Sequence, residues 1–209
     1  PLAFAGYAHF TAMQLISPLL PDFLARYPQL RLELDINNHP VSLISERIDV
    51  AIRITDNPEP GAIARRLGVC RSVLCASPRW LQQNGPLQSP EDLARHNCLH
   101  YSFFAGQSWH FVTTEGEGLS VAVSGNLSAN ISNLLLEATL EGAGISLQPR
   151  YSVQPHLDTG TLVPLLAQWQ PKRLGVYAVY GTRKQMSPLL RSFLDFLVER
   201  MAVDPMWRE

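Results

Sequence analysis

The chain has 209 residues, 46% of them apolar and 17% charged, with a formal net charge of −1 and a sequence pI near 6.7. This suits one large domain or two small ones with a substantial core; it excludes a disordered tail, a coiled coil and, with no run of about 18 apolar residues, a membrane span. It also argues against nucleic-acid binding by this chain alone, because Arg65-Arg66 and Lys172-Arg173 are pairs and not the basic patch that phosphate neutralisation requires.

Residues 3–6 read as a short apolar strand. It is already under way at Pro1, without the basic flank or cleavage site of a secretory signal, as in a piece of a longer protein. Thr11-Ala12-Met13-Gln14 matches a capping box, and Ile16, Leu19, Leu20, Phe23 and Tyr27 form a helical stripe after it. Pro18 and Pro21 oppose one continuous helix, since an interior proline costs ~3 kcal/mol; the helix is expected to kink or to restart at Pro18. Leu30, Leu32, Leu34 and Ile36 alternate with Arg31, Glu33 and Asp35, the period of a strand with one wet face near a sheet edge or a dimer contact. Pro40 opens a short helix over 41–47, and 48–54 is the next strand. This β-α-β-α-β order predicts a parallel sheet with right-handed crossovers.

Strands are expected at 63–67, 72–76, 98–101, 109–113, 119–123, 145–148 and 174–180, and short helices at 78–83 and 90–95. Ile131, Leu134, Leu135 and Ala138 make the stripe of a helix that Gly142-Ala143-Gly144 stops. Residues 151–158 read as helical. Ser187 caps a final helix with Pro188 in its first position and the stripe Leu190, Phe193, Leu194, Leu197 and Met201.

The fold class is α/β, in two Rossmann-like lobes. Residues 1–70 with 173–209 make the first lobe and 71–172 the second, because the last strand and helix have no neighbours of their own. Two chain crossings predict a hinge and an interlobe cleft, a favoured place for a ligand.

No G-x-S-x-G elbow, P-loop or H-E-x-x-H occurs, and Gly142-Ala143-Gly144 precedes a strand, the wrong context for a dinucleotide fingerprint. The six histidines are scattered. His96 and His100 would chelate on a helix, but a strand begins between them. Cys70, Cys75 and Cys98 are odd in number and lack C-x-x-C spacing, so they read as small buried residues in a reducing cytosol. No catalytic residue, cofactor or metal is expected, and the chain is read as not an enzyme.

A family resemblance spans nearly the whole chain. The run Leu19-Leu20-Pro21-Asp22-Phe23-Leu24-Ala25-Arg26-Tyr27-Pro28 resembles the first helix of the sensing domains of LysR-type bacterial transcription regulators. Ile48-Asp49-Val50-Ala51-Ile52-Arg53 resembles their second strand-end motif. Val73-Leu74-Cys75-Ala76-Ser77-Pro78 and Ser89-Pro90-Glu91-Asp92-Leu93-Ala94-Arg95-His96-Asn97-Cys98-Leu99 resemble the connection into their second lobe, and Glu141-Gly142-Ala143-Gly144-Ile145-Ser146-Leu147-Gln148-Pro149 their G-x-G-I-x-L-x-P segment. The resemblance implies a fold like the type II periplasmic solute-binding proteins and a small, often anionic, metabolite as effector. It further implies a winged helix-turn-helix outside this chain that binds DNA, antiparallel homodimers of this domain, homotetramers at full length, no membrane association and a cytoplasmic location. The alternative is a periplasmic solute-binding protein of a transport system, which would use the same fold but need export.

Two helix N-termini are expected to face the cleft, one after Tyr7-Ala8-His9-Phe10-Thr11 and one after Ser128-Ala129-Asn130. Unpaired N–H groups and the helix dipole suit a carboxylate or phosphate there. By resemblance Tyr7, His9, Phe10, Thr11, Ser128, Ala129 and Asn130 line the pocket; Thr11 and Asn130 serve equally as helix caps, worth ~1 kcal/mol each. Asn38, in the polar turn Asn37-Asn38-His39, and Ser102, Phe103 and Phe104 join them by the same resemblance. Polar turn residues need no ligand. Adjacent aromatics leaving a strand point to opposite faces, so one of the two can line the pocket or pack under the loop. Arg53 ends an apolar strand, where it can hold an anionic effector bidentately or pair with Asp56 or a carboxylate of the other lobe. Tyr7, Phe10, Phe103 and Phe104 hint at an apolar or aromatic ligand.

Overall fold

The computed structural model describes residues 2–7, 15–37, 43, 48–58, 61, 63–102, 108–181 and 186–208. Two compact units emerge, Pro1–Cys70 with Arg173–Glu209, and Arg71–Lys172. The expected capping box at Thr11 and the short helix over 41–47 lie outside the described residues, apart from Leu43.

Unit 1 is built on a five-stranded sheet of β1 (Leu2–Tyr7), β2 (Leu32–Asn37), β3 (Val50–Thr55), β4 (Ile63–Cys70) and β13 (Leu174–Tyr180), ordered β2-β1-β3-β13-β4. β1 runs parallel to β2, from Leu2 opposite Leu32 to Tyr7 opposite Asn37, and parallel to β3, from Phe4 opposite Val50 to Gly6 opposite Ile52. The expectation of a parallel sheet holds for these three strands only. β13 is antiparallel to both β3 and β4. It enters the sheet after the whole of Arg71–Lys172, not through a β-α-β crossover, so the rule that makes crossover strands parallel does not bind it.

The period-two strand is an edge strand, with Leu34 and Ile36 exposed. After Leu15 and Ile16 the chain takes a 3-10 turn at Ser17–Leu19 and then α1 (Leu20–Arg26), with Pro21 in its first turn. The helix restarts at its prolines, where a missing N–H has no intrahelical partner to lose. α5 (Pro188–Val203) covers this unit with Leu190, Phe193, Leu194, Leu197 and Met201 buried, and the Ser187 hydroxyl accepts from the Leu190 amide at 3.1 Å.

Unit 2 carries the sheet β11-β5-β10-β6-β9, made of β5 (Ser72–Ala76), β6 (Cys98–Tyr101), β9 (Ser128–Ala129), β10 (Ile145–Pro149) and β11 (Val163–Pro164). A second, three-stranded sheet joins β7 (Ser108–Val112), β8 (Gly118–Ala122) and β12 (Gln170–Pro171). Alternation along β5 splits the core. Leu74 and Ala76 pack with Trp80 of α2 (Pro78–Asn84), Leu93, Trp109 and Phe111; Cys75 packs with Leu136 of α3 (Ser132–Leu140), Val153 of α4 (Arg150–Thr159) and Leu162. α3 ends in a paired turn: the Gly142 amide donates to the Thr139 carbonyl and the Ala143 amide to the Ala138 carbonyl, with Gly142 at φ +84°. Its stripe differs from the expected one. Leu135, Leu136 and Thr139 are buried, whereas Ile131 and Leu134 are exposed.

Candidate functional site

In unit 1, β1 and β2 end side by side at Tyr7 and Asn37. Gly6 lies opposite Ile52, so Tyr7 and Arg53 follow one residue further along their strands. Tyr7 and Asn37 are the C-terminal ends of adjacent parallel strands, the edge at which open α/β sheets receive ligands, whereas β3 continues past Arg53 through Ile54 and Thr55. Arg53 is buried at 7% exposure. β13 places Tyr177 opposite Arg53 of β3 and opposite Arg66 of β4, where the β13–β4 register shifts between Val176 and Tyr177. Tyr177 was not legible as a neighbour of Arg53, because only the antiparallel return of β13 brings it there.

In unit 2, β6 and β9 run parallel with His100 opposite Ser128 and Tyr101 opposite Ala129. The Ser102 amide donates to the Ala129 carbonyl at 2.9 Å, and the His100 amide to the Leu127 carbonyl at 3.2 Å. The structure thus brings Ser102 together with Ser128, Ala129 and Asn130, and adds His100 and Tyr101. Ser102 and Ser128 are exposed; Ala129 and Asn130 are half-buried. The capping role weighed for Asn130 is corrected. The N-cap of α3 is Ile131, which makes no side-chain cap hydrogen bond. Sequence reasoning missed His100 and Tyr101 because β9 is two residues long and carries no strand signal.

His9, Phe10, Thr11, Asn38, Phe103 and Phe104 lie outside the described residues. A groove of about 460 Å³ in unit 2, lined by residues such as Asn84, Leu87, Asp92 and Arg95, contains none of the candidates. Among the described residues no cluster of three or more His, Cys, Asp or Glu is able to hold a metal ion, and no helix is long and apolar enough to cross a membrane.

Residues 6–202 match the family model of the LysR substrate binding domain. The chain belongs to the LysR substrate-binding domain family. This family membership brings with it the type II periplasmic-binding-protein-like fold. Among curated relatives, the chain is 32% identical over 189 residues to the probable HTH-type transcriptional regulator LtrA of Klebsiella pneumoniae, covering 88% of this chain and 61% of that protein. It is 34% identical to the HTH-type transcriptional regulator CrgA of Neisseria meningitidis serogroup C, covering 90% and 63%, and 33% identical to the HTH-type transcriptional activator TtdR of Escherichia coli K12, covering 87% and 59%. This LysR-family chain therefore spans about six-tenths of the length of the curated relatives it matches. Among solved structures, the CrgA regulatory domain of Neisseria meningitidis superposes with a TM-score of 0.80 at 32% identity, over 96% of this chain and 98% of that one. Full-length AphB, a virulence activator of Vibrio cholerae, superposes with a TM-score of 0.80 at 25% identity, over 95% and 67%. LtrA, CrgA and TtdR all carry the names of HTH-type transcriptional regulators or activators.

Proposed function

We propose that this chain is the effector-sensing and oligomerisation part of a cytoplasmic LysR-type transcription regulator, without catalytic activity of its own. The reading rests on the family match across residues 6–202, together with relatives that carry the names of HTH-type transcriptional regulators. The effector is a small anionic metabolite. It meets Tyr7, His9, Phe10, Thr11, Asn38 and Arg53 in the first unit and Ser102, Phe103, Phe104, Ser128, Ala129 and Asn130 in the second. The N-terminus of α3, where Ile131 makes no side-chain cap hydrogen bond, and the buried Arg53 support an anion. The ligand binds one conformation better than another and shifts the population, and a homodimer of this domain passes the shift to DNA-binding heads elsewhere in the full-length tetramer.

A thermal-shift screen of the chain against small carboxylates, amino acids and aromatic acids tests this. A ligand at 100 times its dissociation constant stabilises the fold by about 2.7 kcal/mol, a clear rise in melting temperature. The rise is expected to be lost in folded Asn130→Ala and Arg53→Lys variants. A hit that survives both substitutions overturns the assignment of these residues.

A further inference from the structure

Unit 2 buries a chain of side-chain hydrogen bonds whose direction follows from counting protons. Thr139 of α3 and Ser146 of β10 are fully buried, and Gln148 of β10 is 1% exposed. The Thr139 hydroxyl lies 2.6 Å from the Leu135 carbonyl, which can only accept, so its single proton goes there. The Thr139 and Ser146 hydroxyls are 2.7 Å apart. With the Thr139 proton committed, Ser146 donates to Thr139. The Ser146 oxygen then only accepts, and it does so from Gln148 Nε2 at 3.2 Å.

This order fixes the Gln148 amide. Turning it over would set Oε1 against a hydroxyl oxygen whose proton is already given away. Oε1 therefore points away from Ser146, and among the described residues no donor lies within hydrogen-bonding distance of it. The nearby Cys75 thiol is spoken for, since it donates to the Ser146 carbonyl at 3.7 Å. A buried acceptor without a donor is disfavoured strongly enough that native proteins almost always satisfy it.

We propose that Gln148 Oε1 accepts a hydrogen bond from an internal water that is a fixed component of this unit. The site calls for a small neutral donor; an anion would set acceptor against acceptor. A water with two to four polar partners is the usual occupant of such a position. The chain Leu135–Thr139–Ser146–Gln148 thus pins α3 to β10, with the water closing its open end.

A crystal structure that resolves ordered solvent, of the wild-type chain and of Gln148→Met, tests the site. The expected result is a water within hydrogen-bonding distance of Gln148 Oε1, lost in the methionine variant. A wild-type Oε1 with no water beside it overturns the proposal, and so does a water that keeps its place in Gln148→Met, because other groups then hold it. Should Gln148→Met fail to fold, cross-relaxation between the Gln148 side-chain amide protons and a long-lived water in the wild-type protein decides: its presence supports the site and its absence overturns it.

Discussion

Gly68 gives Trp207 the room to close the C-terminal tail onto β4. The Val69 amide donates to the Trp207 carbonyl at 2.8 Å, and a Cβ on residue 68 would lie 2.5 Å from that same oxygen. Trp207 is buried at 4% exposure, so the tail is part of the core of its unit. Gly68→Ala must displace either the tail or the strand. Overpacking of this kind costs ~1–3 kcal/mol. Denaturant unfolding is expected to show that loss, and an unchanged midpoint would mean that the tail is not docked on β4.

The contact of α1 with α5 separates apolar packing from surface charge. Phe23 is fully buried, with ring centroids 4.9 Å from Tyr27, 5.0 Å from Phe193 and 5.1 Å from Phe196. Phe23→Ala is expected to cost ~3–5 kcal/mol, the sum of lost transfer energy and a cavity. Arg26 and Glu199 approach to 3.9 Å across the same two helices, but their side chains are 52% and 68% exposed. Solvent screens such a pair, and Glu199→Gln should cost under about 1 kcal/mol. Equal effects in a chemical-denaturation comparison would refute this division.

α3 marks where sequence reading reached its limit. Its existence and its stop were legible, because an apolar run ends at Gly142-Ala143-Gly144 and Gly142 adopts the left-handed conformation that closes the helix. Its inward face was not legible. Ile131, Leu134, Leu135 and Ala138 satisfy helical spacing as well as the true buried set, Leu135, Leu136 and Thr139, and periodicity cannot rank two apolar stripes on one short helix. The same limit hid the pairing of Tyr177 with Arg53 and Arg66 and the pairing of β6 with β9. Both depend on which strands meet across long stretches of chain. β13 and α5 were readable because a dense apolar run and the Ser187-Pro188 cap are local signals. The true stripe can be checked directly. Leu136→Ala should cost ~2–5 kcal/mol, and Leu134→Ala, at 49% exposure, should stay within about 0.5 kcal/mol. The reverse order would restore the expected face.

Burial silences the thiols of unit 2. Desolvation pushes Cys75 up to about 12, against a smaller opposing hydrogen bond with Ser146, and pushes Cys98 up to about 12. Both residues are fully buried. The thiolate is the reactive form, so neither should react with an alkylating agent at neutral pH while the protein is folded. Both are expected to label at once on denaturation. Labelling of either in the native state, located by peptide mass analysis, would show that this half of unit 2 opens.

Asp92 predicts an acid-sensitive turn. Its carboxylate accepts from the Gln88 amide at 2.8 Å and the Ser89 amide at 3.1 Å, and it pairs with Arg95. The backbone donors, Gln88 first, hold its pKa below the ordinary 3.8. A carboxyl depressed in the folded state adds stability that is present above its unfolded value and is lost as the pH falls through the folded one. Asp92→Asn should therefore lower the melting temperature at neutral pH. The gap to wild type should close as the pH drops below 3.8, where the unfolded carboxyl already takes up its proton. A gap of constant size across that range would mean that the side chain acts here through its shape and hydrogen-bond geometry, not through its charge.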